Sequence, residues 1–192
     1  TGNILSRMTI ICAQKTKTGV LLGADLHSSD SSRLLKRKTP KLHAVSPRVA
    51  FGCSGHTRIF DRLRDHEERG EFPNPKHIAV YELELARFFR RLLKDEYFAS
   101  KESKLWTILA VDDHIFDIGP DGSVVRIDGN YMASGSVEQF ALGALYVINR
   151  ACDELPSDDK AKEWIQTAME ACAEFGETIR PPWSFLATVK PM

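Results

Sequence analysis

No apolar run in this 192-residue chain approaches the roughly 20 residues needed to cross a bilayer as a helix. The opening residues, Thr1 to Met8, also lack the basic-then-apolar layout of a secretory signal. Net charge is missing too: 26 Lys and Arg balance 26 Asp and Glu. That balance gives no electrostatic reason to expect nucleic acid or an anionic membrane as a partner, and it leaves little self-repulsion to oppose assembly of copies. The four cysteines (Cys12, Cys53, Cys152 and Cys172) contain no C-x-x-C pair and sit in apolar or helical stretches. They read as buried free thiols of a cytoplasmic protein. The six histidines include no H-E-x-x-H spacing, so no metal centre is expected. There is no Gly-rich phosphate loop, and no cofactor is expected. The basic stretch Arg33-Leu34-Leu35-Lys36-Arg37-Lys38 is interrupted by two leucines and reads as a solvated edge strand.

What remains is ordinary globular composition, 43% hydrophobic and 27% charged, with length enough for one domain and a sizeable core. Thr9-Ile10-Ile11-Cys12-Ala13 and Val20-Leu21-Leu22-Gly23-Ala24 are short apolar runs on either side of a Lys17-Thr18-Gly19 turn. Residues 42–45 and 49–53 read as another hairpin, turning at Ser46-Pro47-Arg48. Helical periodicity follows, first through Ile59, Phe60 and Leu63, then through Ile78, Tyr81, Leu85, Phe88, Phe89 and Leu92. Strands return at 106–111, 115–118 and 124–127, with Gly119-Pro120-Asp121-Gly122 as a strong turn. Two more amphipathic helices run through Val137, Phe140, Ala141 and Leu145, and through Ala161, Trp164, Ile165, Ala168 and Cys172. A last strand covers about 184–189. Hairpin-length links mean antiparallel pairing, so two sheets face to face with helices outside would satisfy every apolar face. Periodicity alone leaves other α+β arrangements open.

The stretch from Thr9-Ile10-Ile11 to Gly19-Val20-Leu21-Leu22-Gly23-Ala24-Asp25 resembles the opening of proteasome β subunits and their bacterial HslV-like relatives. Three landmarks keep that family's spacing: Asp25, Lys41 and Gly55 lie 16, 32 and 46 residues after Thr9. Ala133-Ser134-Gly135-Ser136, followed by Phe140-Ala141-Leu142-Gly143-Ala144-Leu145, resembles the family's S-G-S loop and the helix after it. The resemblance implies a four-layer αββα sandwich of two antiparallel sheets flanked by helices, the N-terminal-nucleophile hydrolase fold. Residues 9–192 would form the single domain, and residues 1–8 a leader, propeptide or remnant.

The implied chemistry explains the spacing. A threonine hydroxyl is a weak nucleophile unless a base removes its proton, and a free α-amine titrating near about 8 can serve. By resemblance, Thr9 is the nucleophile and its own amine the base. Lys41 and Asp25 form the activating pair, the Gly55 N–H stabilises the oxyanion, and Ser134 is a supporting hydrogen-bonding residue. The family's side-chain pocket maps onto Ser29, Cys53, Thr57 and Asp61, a small-to-medium pocket with an acidic edge. Substrate would be peptide or unfolded protein, and the assembly a homo-oligomeric ring with an ATPase or cap as a further partner.

The chain departs from the family in two places. Thr9 is preceded by eight residues, so its amine exists only once Met8–Thr9 is opened; an aminopeptidase acting on Met8 as a start residue would do this. Self-cleaving members carry glycine where Met8 stands. The alternative terminal threonine, Thr1, has the wrong spacing to Asp25 and Lys41. Secondly, Gly176 and Ile179 stand where the family usually has an aspartate and a serine, with Glu174 and Glu177 as neighbouring carboxylates that could substitute. These departures keep two alternatives in view, a catalytically inactive ring subunit and a non-proteolytic amidase on the same fold.

Overall fold

The computed structural model describes residues 9–30, 33–36, 41–54, 57–75, 77–95, 106–176 and 179–191. The chain begins with a hairpin, β1 (Ile10–Lys15) and β2 (Val20–Asp25). Its turn is held by Thr16, whose Oγ1 accepts from the backbone N–H groups of Thr18 and Gly19 at 3.3 and 3.1 Å. A second hairpin, β3 (His27–Asp30) with β4 (Arg33–Lys36), forms a separate two-stranded sheet. Arg33–Lys36 of the basic stretch thus form one strand of a hairpin. Then come β5 (Leu42–Ser46), β6 (Val49–Ser54), α1 (Thr57–Glu68) and α2 (Ile78–Asp95). The second half runs β7 (Trp106–Val111), β8 (His114–Ile118), β9 (Val124–Ile127), β10 (Tyr131–Gly135), α3 (Glu138–Arg150), α4 (Asp158–Phe175) and β11 (Trp183–Ala187).

The strands assemble into one sheet ordered β10-β1-β2-β11 and another ordered β5-β6-β7-β8-β9, antiparallel throughout. Three apolar layers follow from the strand period of two. β1 sends Ile10 and Cys12 into the layer shared with α3 and α4, beside Leu145, Trp164 and Met169. Its alternate residues Ile11 and Ala13 meet Leu22, Ala50 and Ile108 between the sheets. The second sheet turns Phe51, Leu109 and Phe116 outward against Leu63, Tyr81, Leu85 and Phe89 of α1 and α2. Strands buried on both faces need no polar alternation, which is why β1 and β2 read as continuous apolar runs. Three cores between four layers give the αββα sandwich.

Close approach of α4 to the sheet depends on Gly23, where a Cβ would lie 2.4 Å from Ile165 Cγ2. Ser157 opens α4 as N-cap, accepting from the Lys160 N–H at 3.3 Å. A half-buried amide pair ties β1 to α3: Asn149 Nδ2 donates to Gln14 Oε1 at 2.9 Å, and Gln14 Nε2 donates to Asn149 Oδ1 at 3.2 Å.

Two sequence expectations change. Ser134 and Gly135 of the S-G-S segment expected as a loop are the end of β10, paired with β1 from Ile10↔Gly135 to Gln14↔Tyr131, and Ser136 begins the turn after it. Its small residues carry no strand signal of their own; the ladder with a partner far away in sequence makes them extended. Cys12, Cys53 and Cys172 are buried as expected, but Cys152 is exposed, because α3 ends at Arg150 just before it. Burial pushes the Cys53 thiol up to about 12 and the Cys172 thiol up to about 11, and raises Cys12 well above its usual range with help from Cys172 and Asp25. Thiolate is the reactive form, so iodoacetamide at neutral pH is expected to alkylate Cys152 alone in the folded protein; peptide mapping checks this.

Candidate active site

Thr9 immediately precedes β1 and is 7% exposed. The β1–β2 register, Ile11↔Ala24, brings the start of β1 beside Asp25 at the end of β2. Lys41, 2% exposed, stands just ahead of β5. Its ammonium donates to Thr9 Oγ1 at 2.9 Å and to both Asp25 oxygens at 2.8 and 2.9 Å. Three residues scattered over 33 positions of sequence therefore share one buried hydrogen-bonded group.

A buried ion pair is tolerable only when its other hydrogen-bonding capacity is used. Here Asp25 also accepts from the backbone N–H of Ile10 at 3.0 Å and of His27 at 3.1 Å. Two main-chain donors and one ammonium thus fix the carboxylate, and the carboxylate fixes the ammonium against the Thr9 oxygen.

Thr9 is also gripped through its backbone. The Ser136 N–H donates to the Thr9 carbonyl at 3.2 Å. Gly135, opposite Ile10, makes that approach possible: its φ is +139°, and a Cβ there would lie 1.8 Å from the Thr9 carbonyl oxygen. Gly135→Ala is expected to destabilise the fold by about 3–5 kcal/mol, backbone strain of about 1–3 kcal/mol adding to a main-chain clash that only separation of β10 from β1 would relieve. Urea unfolding measures it.

The Gly135 N–H in turn donates to Glu138 Oε2 at 3.1 Å. Nearby, burial and the negative charge of Glu138 hold the half-buried Asp117 carboxyl above the usual carboxylate range. Ser134 is 2% exposed and pairs with Ile11 across the β1–β10 ladder.

The other expected site residues fall into three groups. Gly55 lies outside the described residues. Ser29 is within β3, and Thr57 opens α1. Cys53 is buried in the core under α1 and α2, its sulfur 3.2 Å from Thr107 Oγ1, and Asp61 is exposed on α1. A cavity of about 390 Å³ is lined by residues of β5, α1 and β11, Leu42, His43, Phe60, Arg64 and Phe185 among them. Neither Cys53 nor Asp61 lines it.

At the two departures, Gly176 ends α4, its N–H bonded to the Cys172 carbonyl, and Ile179 is fully buried in the apolar layer of α3 and α4. Glu174 is exposed and takes no part in the Thr9 cluster among the described residues, so it is no substitute for the missing aspartate. Glu177 lies outside the described residues. Sequence reasoning missed the Ile10, His27 and Ser136 amides, which leave no trace in side-chain identity. It also missed Glu138, for which a carboxylate three residues after Gly135, at the head of an apolar helix, was a usable capping signal.

The family model described as Proteasome subunit matches residues 7–178. The chain belongs to the proteasome subunit family. Among curated relatives it is 25% identical over 169 residues to the ATP-dependent protease subunit HslV of Rickettsia felis, covering 85% of this chain and 87% of the relative. The HslV of Rickettsia bellii matches equally well, with the same identity and coverage. Three solved structures share the fold. The chain of Thiobacillus denitrificans BPH in complex with epoxomicin superposes with a TM-score of 0.76 at 17% identity, covering 95% of this chain and all of that one. Eukaryotic HslV from Trypanosoma brucei gives 0.72 at 22%, covering 94% and 99%. Anbu from Yersinia bercovieri gives 0.72 at 14%, covering 94% and 81%. At these identities the structural likeness speaks for the fold, which is the four-layer sandwich expected from the sequence.

Proposed function

We propose that this proteasome-family chain is a threonine peptidase of HslV type, with Thr9 as its nucleophile. The observation that carries the reading is the Lys41 ammonium, 2.9 Å from Thr9 Oγ1 and clasped by both Asp25 oxygens in a buried site. A cation there favours the alkoxide-like oxygen of the attacking threonine and disfavours a second positive charge on the adjacent α-amine, leaving that amine ready to take the proton.

In the reaction, Thr9 Oγ1 bonds to the scissile carbonyl carbon as its proton passes to the α-amine. The carbonyl oxygen becomes an oxyanion, for which the Gly55 N–H is the proposed donor. Collapse breaks the C–N bond, the protonated amine of Thr9 gives its proton to the leaving nitrogen, and an acyl ester remains on Thr9. Water, deprotonated by the same amine, then cleaves the ester and frees the threonine. Every step needs an unacylated Thr9 nitrogen, so residues 1–8 act as a leader, and opening of Met8–Thr9 is the activating event. Ser29, Cys53, Thr57 and Asp61 are proposed for the substrate side-chain pocket and Ser134 as a support near the amine. The proposed setting is a cytoplasmic homo-oligomeric ring fed with unfolded protein by an ATPase. Among the described residues no helix is long and apolar enough to cross a membrane.

A second reading, a catalytically silent ring subunit, is favoured by Ile179, whose place in the apolar layer offers the nucleophile no hydrogen bond. Intact mass and N-terminal sequencing of native protein treated with an epoxyketone separate the two. A chain starting at Thr9 and carrying the adduct on that residue supports the peptidase. A chain that keeps Met8 joined to Thr9 and stays unlabelled supports the silent subunit.

A further inference from the structure

Thr9 is held at three points: its hydroxyl by Lys41, its carbonyl by the Ser136 N–H, and the amide after it by Asp25. The first and third rest on the buried ion pair. The second rests on the turn between β10 and α3, where Gly135 sits at φ +139° with its flank against the Thr9 carbonyl. Within that turn Val137, the residue capping α3, makes no side-chain cap hydrogen bond. The side chain that closes it is Glu138, the only acidic residue of the first turn of α3, whose Oε2 accepts from the Gly135 N–H at 3.1 Å. A carboxylate there is also favoured by the helix dipole.

We infer that Glu138 is a positioning residue for the nucleophile: by locking Gly135 it aims the Ser136 N–H at the Thr9 carbonyl and so fixes the direction in which the Thr9 nitrogen and hydroxyl face substrate. Glu138 touches none of the reacting atoms. Its effect passes through two hydrogen bonds, from the Gly135 N–H to its own carboxylate and from the Ser136 N–H to the Thr9 carbonyl. Loosening that point leaves Thr9 to pivot on the two that rest on the ion pair, and small misplacements of a nucleophile cost up to about a hundredfold in rate.

The inference rests on Thr9 being the nucleophile, and the experiment keeps the two apart. Protein with Thr9 exposed is compared with Glu138→Ala and Glu138→Gln on a fluorogenic peptide. Glu138→Ala is expected to lower kcat by about ten- to a hundredfold, with KM within about twofold. Glu138→Gln, whose amide oxygen can still accept from Gly135, is expected to restore most of the rate. In parallel, amide hydrogen exchange is read at Ser136 in the Thr9→Ala background, which keeps the carbonyl but needs no activity. Exchange at Ser136 should accelerate at least about tenfold with Glu138→Ala and return towards the starting value with Glu138→Gln, while the β1–β2 amides stay protected. Unchanged Ser136 exchange would overturn the inference, as would a Glu138→Ala enzyme with unaltered kcat or a Glu138→Gln enzyme as impaired as the alanine variant. If the exposed parent protein hydrolyses nothing, the peptidase reading fails by itself, and the exchange data still decide whether Glu138 holds the turn.

Discussion

Replacing Thr9 by alanine is expected to lower peptide hydrolysis by on the order of 10⁴-fold or more while leaving the fold in place. The hydroxyl is the atom that would form the acyl ester, and among the described residues the Lys41–Asp25 group offers no competing nucleophile: Lys41 is engaged by two carboxylate oxygens, and Asp25 accepts from Lys41 and two backbone amides. The structural cost is small by comparison. Lys41 loses one acceptor but keeps its counter-ion, so a loss of about 1–2 kcal/mol is expected. Steady-state kinetics alongside urea unfolding separates the two effects. An alanine variant that hydrolyses peptides at even a tenth of the parent rate would show that some other group performs the attack.

Lys41→Met carries the second-largest effect, and it acts on activity and stability together. Methionine matches the length of the lysine stem but removes the charge. The Thr9 oxygen loses the donor that stabilises its negative form, for which a fall in kcat of about 10²–10⁴ is expected. Asp25, fully buried, is left with a negative charge and, among the described residues, the Ile10 and His27 amides as donors. Breaking one side of a buried pair typically costs about 3–5 kcal/mol, because the surviving ion is uncompensated; the two retained main-chain donors place this case at the lower end. For a chain of this size that is roughly 2–4 °C in Tm per kcal/mol. The double variant Asp25→Asn with Lys41→Met, which removes the stranded charge, should recover most of the stability and none of the activity. If Lys41→Met proved as stable as the parent, the 2.8 Å contact would be contributing little to the fold.

How legible these features were depended on where their information lies. β1 and β2 declared themselves as β-branched apolar runs, and α2 by its three- and four-residue spacing, because burial of whole faces writes a period into the chain. Tyr131–Gly135 did not, because an Ala-Ser-Gly segment becomes a strand only when β1 supplies its hydrogen bonds. Cys152 reads as buried for a related reason: helical residues flank it, but α3 stops two residues short. In the site, Asp25 and Lys41 could be singled out only through resemblance, since each by itself is an ordinary polar residue at a strand end. Ile179 stands out in the sequence as a departure from the family, and its packing with α3 and α4 accounts for the hydrophobic choice.

Residue types and spacing alone determined the order of strands and helices, the antiparallel pairing of short-linked strands, and the presence of a threonine, an aspartate and a lysine at one family's intervals. These are local or one-dimensional properties, written in burial periodicity and side-chain chemistry. Tertiary structure decided that those three side chains meet within hydrogen-bonding distance in a buried site, that Gly135 lies too close to the Thr9 carbonyl to be anything but glycine, and that Glu138 closes the turn presenting the Ser136 amide. The ion pair's dielectric surroundings exist only when both sheets are packed, and the approaches of Gly135 and Ser136 to the Thr9 carbonyl join backbone atoms more than a hundred residues apart; the Glu138–Gly135 contact is local and gains its role from them.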